Sequence, residues 1–176
     1  RYYFERYLSQ WRMMEQILWV SGFHGGRHVI DFGCFVGGWS WVLSRMYEAV
    51  TALDVDDTAL ALGKRFAQHH GFSNLEMKTI APDVLAALPP ADGILCVGTF
   101  QVMPAADLYA FFSMVRRTLV PGGLLLCNSA RMFLPLEWLL TCERVKVHGW
   151  REQLVWARAV LRALRSRRIQ ATGSYY

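Results

Sequence analysis

Two features separated by about twenty residues could hold a nucleotide-like ligand. The first is the run Asp31-Phe32-Gly33-Cys34-Phe35-Val36-Gly37-Gly38-Trp39-Ser40, which passes from an apolar strand pattern through a glycine-rich turn into an apolar helix pattern at Trp41, Val42, Leu43 and Met46. Glycine lets backbone come close to a ligand, and the start of a helix offers unpaired N–H groups to an anion. The second is Val50-Thr51-Ala52-Leu53-Asp54-Val55, a second strand pattern that ends in a carboxylate. A carboxylate there can accept hydrogen bonds from ribose hydroxyls. Together they describe half of a nucleotide-binding α/β sheet.

With these residues in order, the chain resembles the class I S-adenosylmethionine-dependent methyltransferases. Asp31-Phe-Gly33-Cys34-x-x-Gly37 is similar to the family's first motif, Asp54 to the acidic end of its second strand, and Leu119-Val-Pro121-Gly122-Gly123 to the turn before its fifth strand. The resemblance covers roughly residues 25–130 and implies S-adenosylmethionine as cofactor, with S-adenosylhomocysteine as the other product. It places the donor among Asp31, Gly33, Cys34, Phe35, Gly37, Asp54, Val55, Ala81, Asp83 and Gly98. The donor's carboxylate would meet the backbone of residues 37–39, and its amino group Asp31, directly or through water. Its ribose would meet Asp54, and its adenine would lie between Val55 and residues 80–83. Asp83 is read either as a partner of the adenine amino group or as a helix cap. Phe35 stands where the family commonly has glycine.

For the acceptor, the resemblance points to the loop after the fourth strand, where Phe100, Gln101 and Met103 would line the pocket. Tyr7 and Trp11 on a leading helix would form a lid, the alternative being that they are core. His148 is the candidate base, with a surface or capping role as the alternative. A base is needed only where the acceptor must lose a proton, and alignment with the sulfonium supplies much of the rate. The Asn/Asp-Pro-Pro-aromatic signature of amino-methylating nucleic-acid enzymes and a Pro-Cys or Thr-Cys nucleophile pair are both absent from the loop after the fourth strand. Gly37-Gly38-Trp39-Ser40 is similar to RNA ribose methyltransferases, without their aspartate after the fourth strand. Small-molecule or lipid-like acceptors therefore lead. The dinucleotide fingerprint Gly-x-Gly-x-x-Gly and the Gly-Lys-Ser/Thr phosphate loop are missing, which disfavours nicotinamide cofactors and nucleoside triphosphates.

The elements that must position these residues alternate. Apolar spacings of three and four predict a helix over residues 2–20, then strands at 29–32, 50–55, 75–80, 93–97 and 124–127. Helices are expected at 57–70, capped by Asp57 or Thr58 and stopped by Gly71, and at 84–88 and 105–119. This order predicts an α/β fold with a doubly wound, mostly parallel Rossmann-like sheet flanked by helices. Beyond Asn128, helices are expected at 131–142 and 150–167 and a strand within 169–176, so the C-terminal part reads as shortened, with a sheet edge that invites a second copy or another chain. The chain thus reads as one domain, residues 1–176, comprising a lid at 1–24, a donor-binding core at 25–130 and a basic helical part at 131–176. It begins without Met, as a piece of a longer protein would.

Apolar residues make up 53% of the 176, with 19% charged, but no run reaches the ~20 needed to span a bilayer. Cys34, Cys96, Cys127 and Cys142 form no C-x-x-C pair and read as buried free thiols of a reducing, cytoplasmic compartment. The five histidines show no metal-ligand spacing. Residues 144–168 hold eight basic side chains against Glu152, or +7, so the rest of the chain carries 5 − 7 = −2. Arg151, Arg158, Arg162 and Arg165 line one helical face. Beside the apolar stretch at 132–140, that face suits anionic lipid and peripheral membrane association; a solvated face, an acidic partner or nucleic acid are the alternatives. The expected function is methyl transfer to a small-molecule or lipid-like acceptor. The alternatives are a non-catalytic module acting through the basic helix, and an RNA methyltransferase.

Overall fold

The computed structural model describes residues 2–100, 102–128 and 170–171. The described chain runs α1 (Tyr2–Val20), β1 (Gly26–Phe32), α2 (Gly38–Leu43), β2 (Tyr47–Asp54), α3 (Asp57–His70), β3 (Leu75–Thr79), α4 (Pro82–Ala86), β4 (Ala91–Val97), α5 (Ala105–Thr118), β5 (Leu119–Asn128) and β6 (Gln170–Ala171). The strands form one sheet in the order β3-β2-β1-β4-β5-β6, and each neighbouring pair is parallel. The chain winds outward from β1 to β3 and then returns to lay β4 on the other side of β1. This reversal leaves a crevice beyond the C-terminal ends of β1 and β4, the usual place for a ligand in such sheets.

Near-continuous apolar strands are what a sheet covered on both faces requires. Alternate residues of β1, β2 and β4 point to opposite faces. Ile30, Phe32, Leu53, Ile94 and Cys96 pack with Leu108, Phe111, Met114 and Val115 of α5. Val29, Val50 and Leu95 pack with Met14 and Leu18 of α1 and Val42 and Leu43 of α2. Phe111 is fully buried with its ring edge-on to Phe32 at 4.8 Å. Truncating such a side chain to alanine typically costs ~3–5 kcal/mol.

Three local expectations are corrected. The N-cap of α3 is Asp56, whose carboxylate accepts from the N–H groups of Thr58 and Ala59, rather than Asp57 or Thr58. Helix α4 starts at Pro82, because proline's missing N–H costs nothing in a first turn; its cap position is Ala81, and Asp83 lies inside the first turn rather than capping it. β5 begins at Leu119, ahead of the Pro121-Gly122-Gly123 turn, because Leu119 already pairs with Ala91 before the register shifts and resumes at Gly93↔Leu124. Gly122 carries that irregularity at φ 82°.

At the far edge, Gln170 and Ala171 pair in parallel with Leu124 and Leu125. The helices expected at 131–142 and 150–167 lie outside the described residues. Among the described residues no helix is long and apolar enough to cross a membrane.

Candidate functional site

The C-terminal ends of β1, β2 and β4 meet at one turn. Leaving β1, the backbone is left-handed at Gly33 (φ 78°), Phe35 (φ 52°) and Gly37 (φ 90°). The turn is tied to β2 by the N–H groups of Gly33 and Cys34, which both donate to the Leu53 carbonyl, at 2.7 and 3.0 Å. Phe35 N–H donates to Asp54 Oδ2 at 2.7 Å, and Asp56 N–H to Asp54 Oδ1 at 3.0 Å. Each oxygen of an ionised carboxylate has two acceptor positions. Asp54 is half-buried, so beyond these two bonds it can still receive hydroxyls from the crevice. Val55 beside it is 74% exposed, an uncovered apolar surface at the rim.

Phe35 thus meets the departure from glycine with strain. A non-glycine residue in the left-handed region costs about 1–2 kcal/mol, and this cost is offset by its ring packing against Val36, Trp41 and Ala59 and by the bond to Asp54. Gly37 serves as the N-cap position of α2 without a side-chain cap. A Cβ there would lie 3.0 Å from Met77 Cε and 3.2 Å from Trp41 Nε1, so the turn is closely packed from below.

Asp31 is placed beneath the turn rather than in the crevice. It is 2% exposed, and Ser40 Oγ donates to its Oδ2 at 2.5 Å. Burial pushes its carboxyl up to about 7, the Ser40 bond opposes this, and the negative charge of Asp54 adds to it. Cys34, Cys96 and Cys127 are free and buried as expected, and burial raises all three thiols, leaving them protonated and inert. Cys142 lies outside the described residues.

On the β4 side, Gly98 at φ 74° turns the chain so that Thr99 lies on Gly33. A Cβ on Gly33 would fall 1.9 Å from Thr99 Oγ1 and 2.7 Å from its Cβ, so only glycine fits. Phe100 is 4% exposed, with rings of Phe111 and Phe112 at 5.1 and 5.8 Å. It anchors the loop in the core, and the inward packing prevails over the expected place in an acceptor pocket. Met103, half-buried, packs on the same cluster, while Val102 is 74% exposed at the rim.

The remaining expected residues are scattered. Ala81 is half-buried and Asp83 exposed, both just past the end of β3. Trp11 packs 6.4 Å from Phe72 and beneath the Arg45 guanidinium at 5.1 Å. Trp11 is half-buried and also packs on the cluster of Val36, Trp41 and Ala59. Gln101, His148, Arg151, Arg158, Arg162 and Arg165 lie outside the described residues, as does the side chain of Tyr7. Among the described residues no cluster of His, Cys, Asp or Glu could hold a metal ion. Sequence reasoning missed Ser40 and Thr99. A small hydroxyl residue after Gly37-Gly38 and another after Gly98 are the only local signals either gave.

A family model described as a methyltransferase domain matches residues 29–123, from the start of the buried part of β1 through the β5 turn. The chain belongs to this methyltransferase family. It is 26% identical over 133 residues to the ubiquinone biosynthesis O-methyltransferase of Cereibacter sphaeroides, covering 71% of this chain and 53% of that one. It is 28% identical over 117 residues to the malonyl-[acyl-carrier protein] O-methyltransferase of Serratia marcescens, covering 65% and 43%. The chain therefore spans about half the length of these curated relatives. Among solved structures, a DhpI complex described with SAM and HEP superposes with a TM-score of 0.58 at 21% identity, covering 80% of this chain and 64% of that one. A precorrin-6y C5,15-methyltransferase from Geobacter metallireducens gives 0.56 at 17% identity, covering 74% and 66%. A protein described as precorrin 8w decarboxylase from Methanobacterium thermoautotrophicum gives 0.57 at 20%, covering 74% and 67%. These likenesses establish the Rossmann-like methyltransferase fold.

The group this family implies is S-adenosylmethionine, and the residues present fit it. Gly33, Phe35 and Gly37 hold the turn after β1 in left-handed backbone that only glycine adopts freely, so the turn stays tight beside Asp54. Asp54 keeps acceptor positions toward the crevice, next to the exposed apolar Val55. A carboxylate with free acceptor positions next to an exposed apolar side chain is the pairing that the ribose and base of a nucleoside require.

Proposed function

We propose that this protein transfers a methyl group from S-adenosylmethionine to an oxygen of a small-molecule or lipid-like acceptor. The observation that carries the reading is Asp54, half-buried at the C-terminal end of β2 and held by the N–H groups of Phe35 and Asp56 beside the glycine turn. The two curated relatives, both named as O-methyltransferases, support oxygen as the nucleophile. The bound donor supplies an electrophilic methyl group. In this reading Gly33, Gly37 and Asp54 fix the donor's two ends, Val55 covers its base, and the loop after β4, anchored by Phe100, holds the acceptor in line with the methyl through Gln101 and Met103. An acceptor that is already a carboxylate or an acidic phenol needs little help in losing its proton; for a weaker acid, His148 is the proposed base. The basic stretch at 144–168 is proposed to draw the protein to an anionic surface such as a lipid headgroup layer, peripherally.

Calorimetric titration with S-adenosylmethionine and S-adenosylhomocysteine tests the donor site. Micromolar binding is expected for the wild type, with a loss of about 100-fold or more for Asp54→Ala, because both ribose hydroxyls lose a charged acceptor and the turn loses its tie. Transfer of labelled methyl to phenol and carboxylate acceptors follows. A folded wild type that binds neither ligand refutes the proposal.

A further inference from the structure

Helix α1 buries one face and leaves the opposite one open. Met14 and Leu18 are buried with Val29, Val50, Val42 and Leu43. At about 100° per residue, Arg12, Met13, Gln16, Trp19 and Val20 fall on the other side as one stripe about 120° wide, and all five are exposed. The outer face of such a helix is ordinarily polar, yet Met13, Trp19 and Val20 are 45%, 58% and 80% exposed. Together they leave roughly 300–400 Å² of apolar surface uncovered, a size that is often functional on a single chain. Trp19 is also held in place. Its ring lies 4.4 Å from that of His24, whose Nε2–H donates to the Trp19 carbonyl at 2.9 Å, and an aromatic ordered in advance loses little freedom on being covered.

We propose that this stripe is the interface of a two-fold dimer in which α1 packs antiparallel on α1 of a second copy. The stripe is self-complementary about an axis through Gln16. Residues equally far before and after Gln16 then meet, so Met13 faces Trp19 of the second copy and Arg12 faces Val20. The angular order agrees, because Met13 and Trp19 lie on opposite flanks of Gln16, as do Arg12 and Val20, and a two-fold axis exchanges the flanks. Methionine against an aromatic ring is a favourable contact, and an arginine stem covers Val20 while its charge stays in water. The two Gln16 amides, each both donor and acceptor, bond to each other across the axis. Arg12 is the one charged residue of the five, and the pairing keeps its two copies apart. Charge favours a second copy over an anionic lipid surface, since α1 balances Arg6 and Arg12 with Glu5 and Glu15, whereas a membrane-bound helix is rich in basic residues. With Arg12 and Gln16 included, each copy buries roughly 500 Å², short of the ~800 Å² of a standard interface, so a dissociation constant on the order of tens of micromolar is expected. The dimer does not depend on the donor reading.

Sedimentation velocity of the whole chain from about 1 to 200 µM tests the proposal. A monomer–dimer equilibrium is expected, which Trp19→Glu weakens about tenfold or more, as loss of a central aromatic does. The register is read separately, with Cys142→Ser as background. Gln16→Cys should be cross-linked to a dimer by mild oxidation, because its two copies meet on the axis; Leu62→Cys, also exposed but on α3, should not. A wild type that stays monomeric at the highest concentration, a dimer indifferent to Trp19→Glu, or equal cross-linking of the two cysteine variants overturns the proposal. So does a monomer that binds phosphatidylcholine–phosphatidylglycerol vesicles through Trp19, which would make the stripe a membrane contact. If Trp19→Glu does not fold, the two cysteine variants decide alone.

Discussion

Replacing Asp31 by Asn should remove a pH dependence of stability that the wild type carries. The carboxyl is pushed up to about 7 by burial, with Asp54's charge adding and the Ser40 bond opposing, whereas in the unfolded chain it titrates near the ordinary value of about 4. Between those values the folded protein holds a proton that the unfolded chain has lost. Stability from this group is therefore complete below about pH 4 and falls as the pH rises toward 7, flattening above it. Each pH unit between the two values is worth ~1.4 kcal/mol, so the full effect is roughly 4 kcal/mol, of which roughly 2–3 falls between about pH 5 and pH 8. Asparagine keeps an acceptor for Ser40 Oγ and cannot ionise. Urea unfolding of both proteins at several pH values over that range measures the difference. With a slope of ~2 kcal/mol per molar, the wild-type midpoint should fall by about 1 M relative to Asp31→Asn. The comparison cancels every other titrating group. Parallel pH profiles for the two proteins, or a wild type that gains on the variant as the pH rises, would refute the argument that this carboxylate is held in a dry site.

Two further outcomes follow from the same turn. On the proposed donor reading S-adenosylmethionine brings a sulfonium charge toward Asp31 and Asp54, so its binding near pH 7 should lower the Asp31 pKa and release part of a proton. The calorimetric enthalpy should then depend on the ionisation enthalpy of the buffer for wild type and not for Asp31→Asn; equal buffer dependence in both counts against it. At Phe35 the usual order of alanine over glycine should invert. Phe35→Gly loses the same ring contacts as Phe35→Ala but relieves a φ of 52°, so it should be the more stable of the two by about 1 kcal/mol in urea midpoints, and the opposite order refutes strain at this position.

Much of this arrangement was legible because it is local. The strand into Asp31, the glycine turn, and the strand ending at Asp54 are each encoded within a few residues, and their spacing allows only a short helix between them. The cap of α3 was misread by one residue because Asp56, Asp57 and Thr58 are all capable caps. The choice falls to Asp56, whose own N–H is already held by Asp54. Depth was not legible. The same aspartate at the end of β1 could lie in the crevice or beneath it, and only the Ser40 hydroxyl nine residues on, bonded at 2.5 Å, marks it as beneath. Phe100 and Trp11 show the same limit, since an aromatic on a loop or leading helix reads alike whether it lines a pocket or a core. The approach of Thr99 to Gly33 joins residues 66 positions apart, and no local pattern carries such a contact.

The burial of Asp31 acquires a reason when the ligand's charge is considered. A buried carboxylate whose burial outweighs its bond from Ser40 disfavours the ionised folded state, and an apolar core residue of similar size would not. On the proposed donor reading, a sulfonium bound at the turn offsets that cost, because charges separated by a dry, low-dielectric layer are weakly screened. The protein would then be less stable without its donor at neutral pH and would recover that stability on binding. S-adenosylhomocysteine lacks the sulfonium charge and recovers less. On that reading the charge favours the loaded methyl donor over the spent product, a discrimination that Asp54 does not supply, since the ribose is common to both.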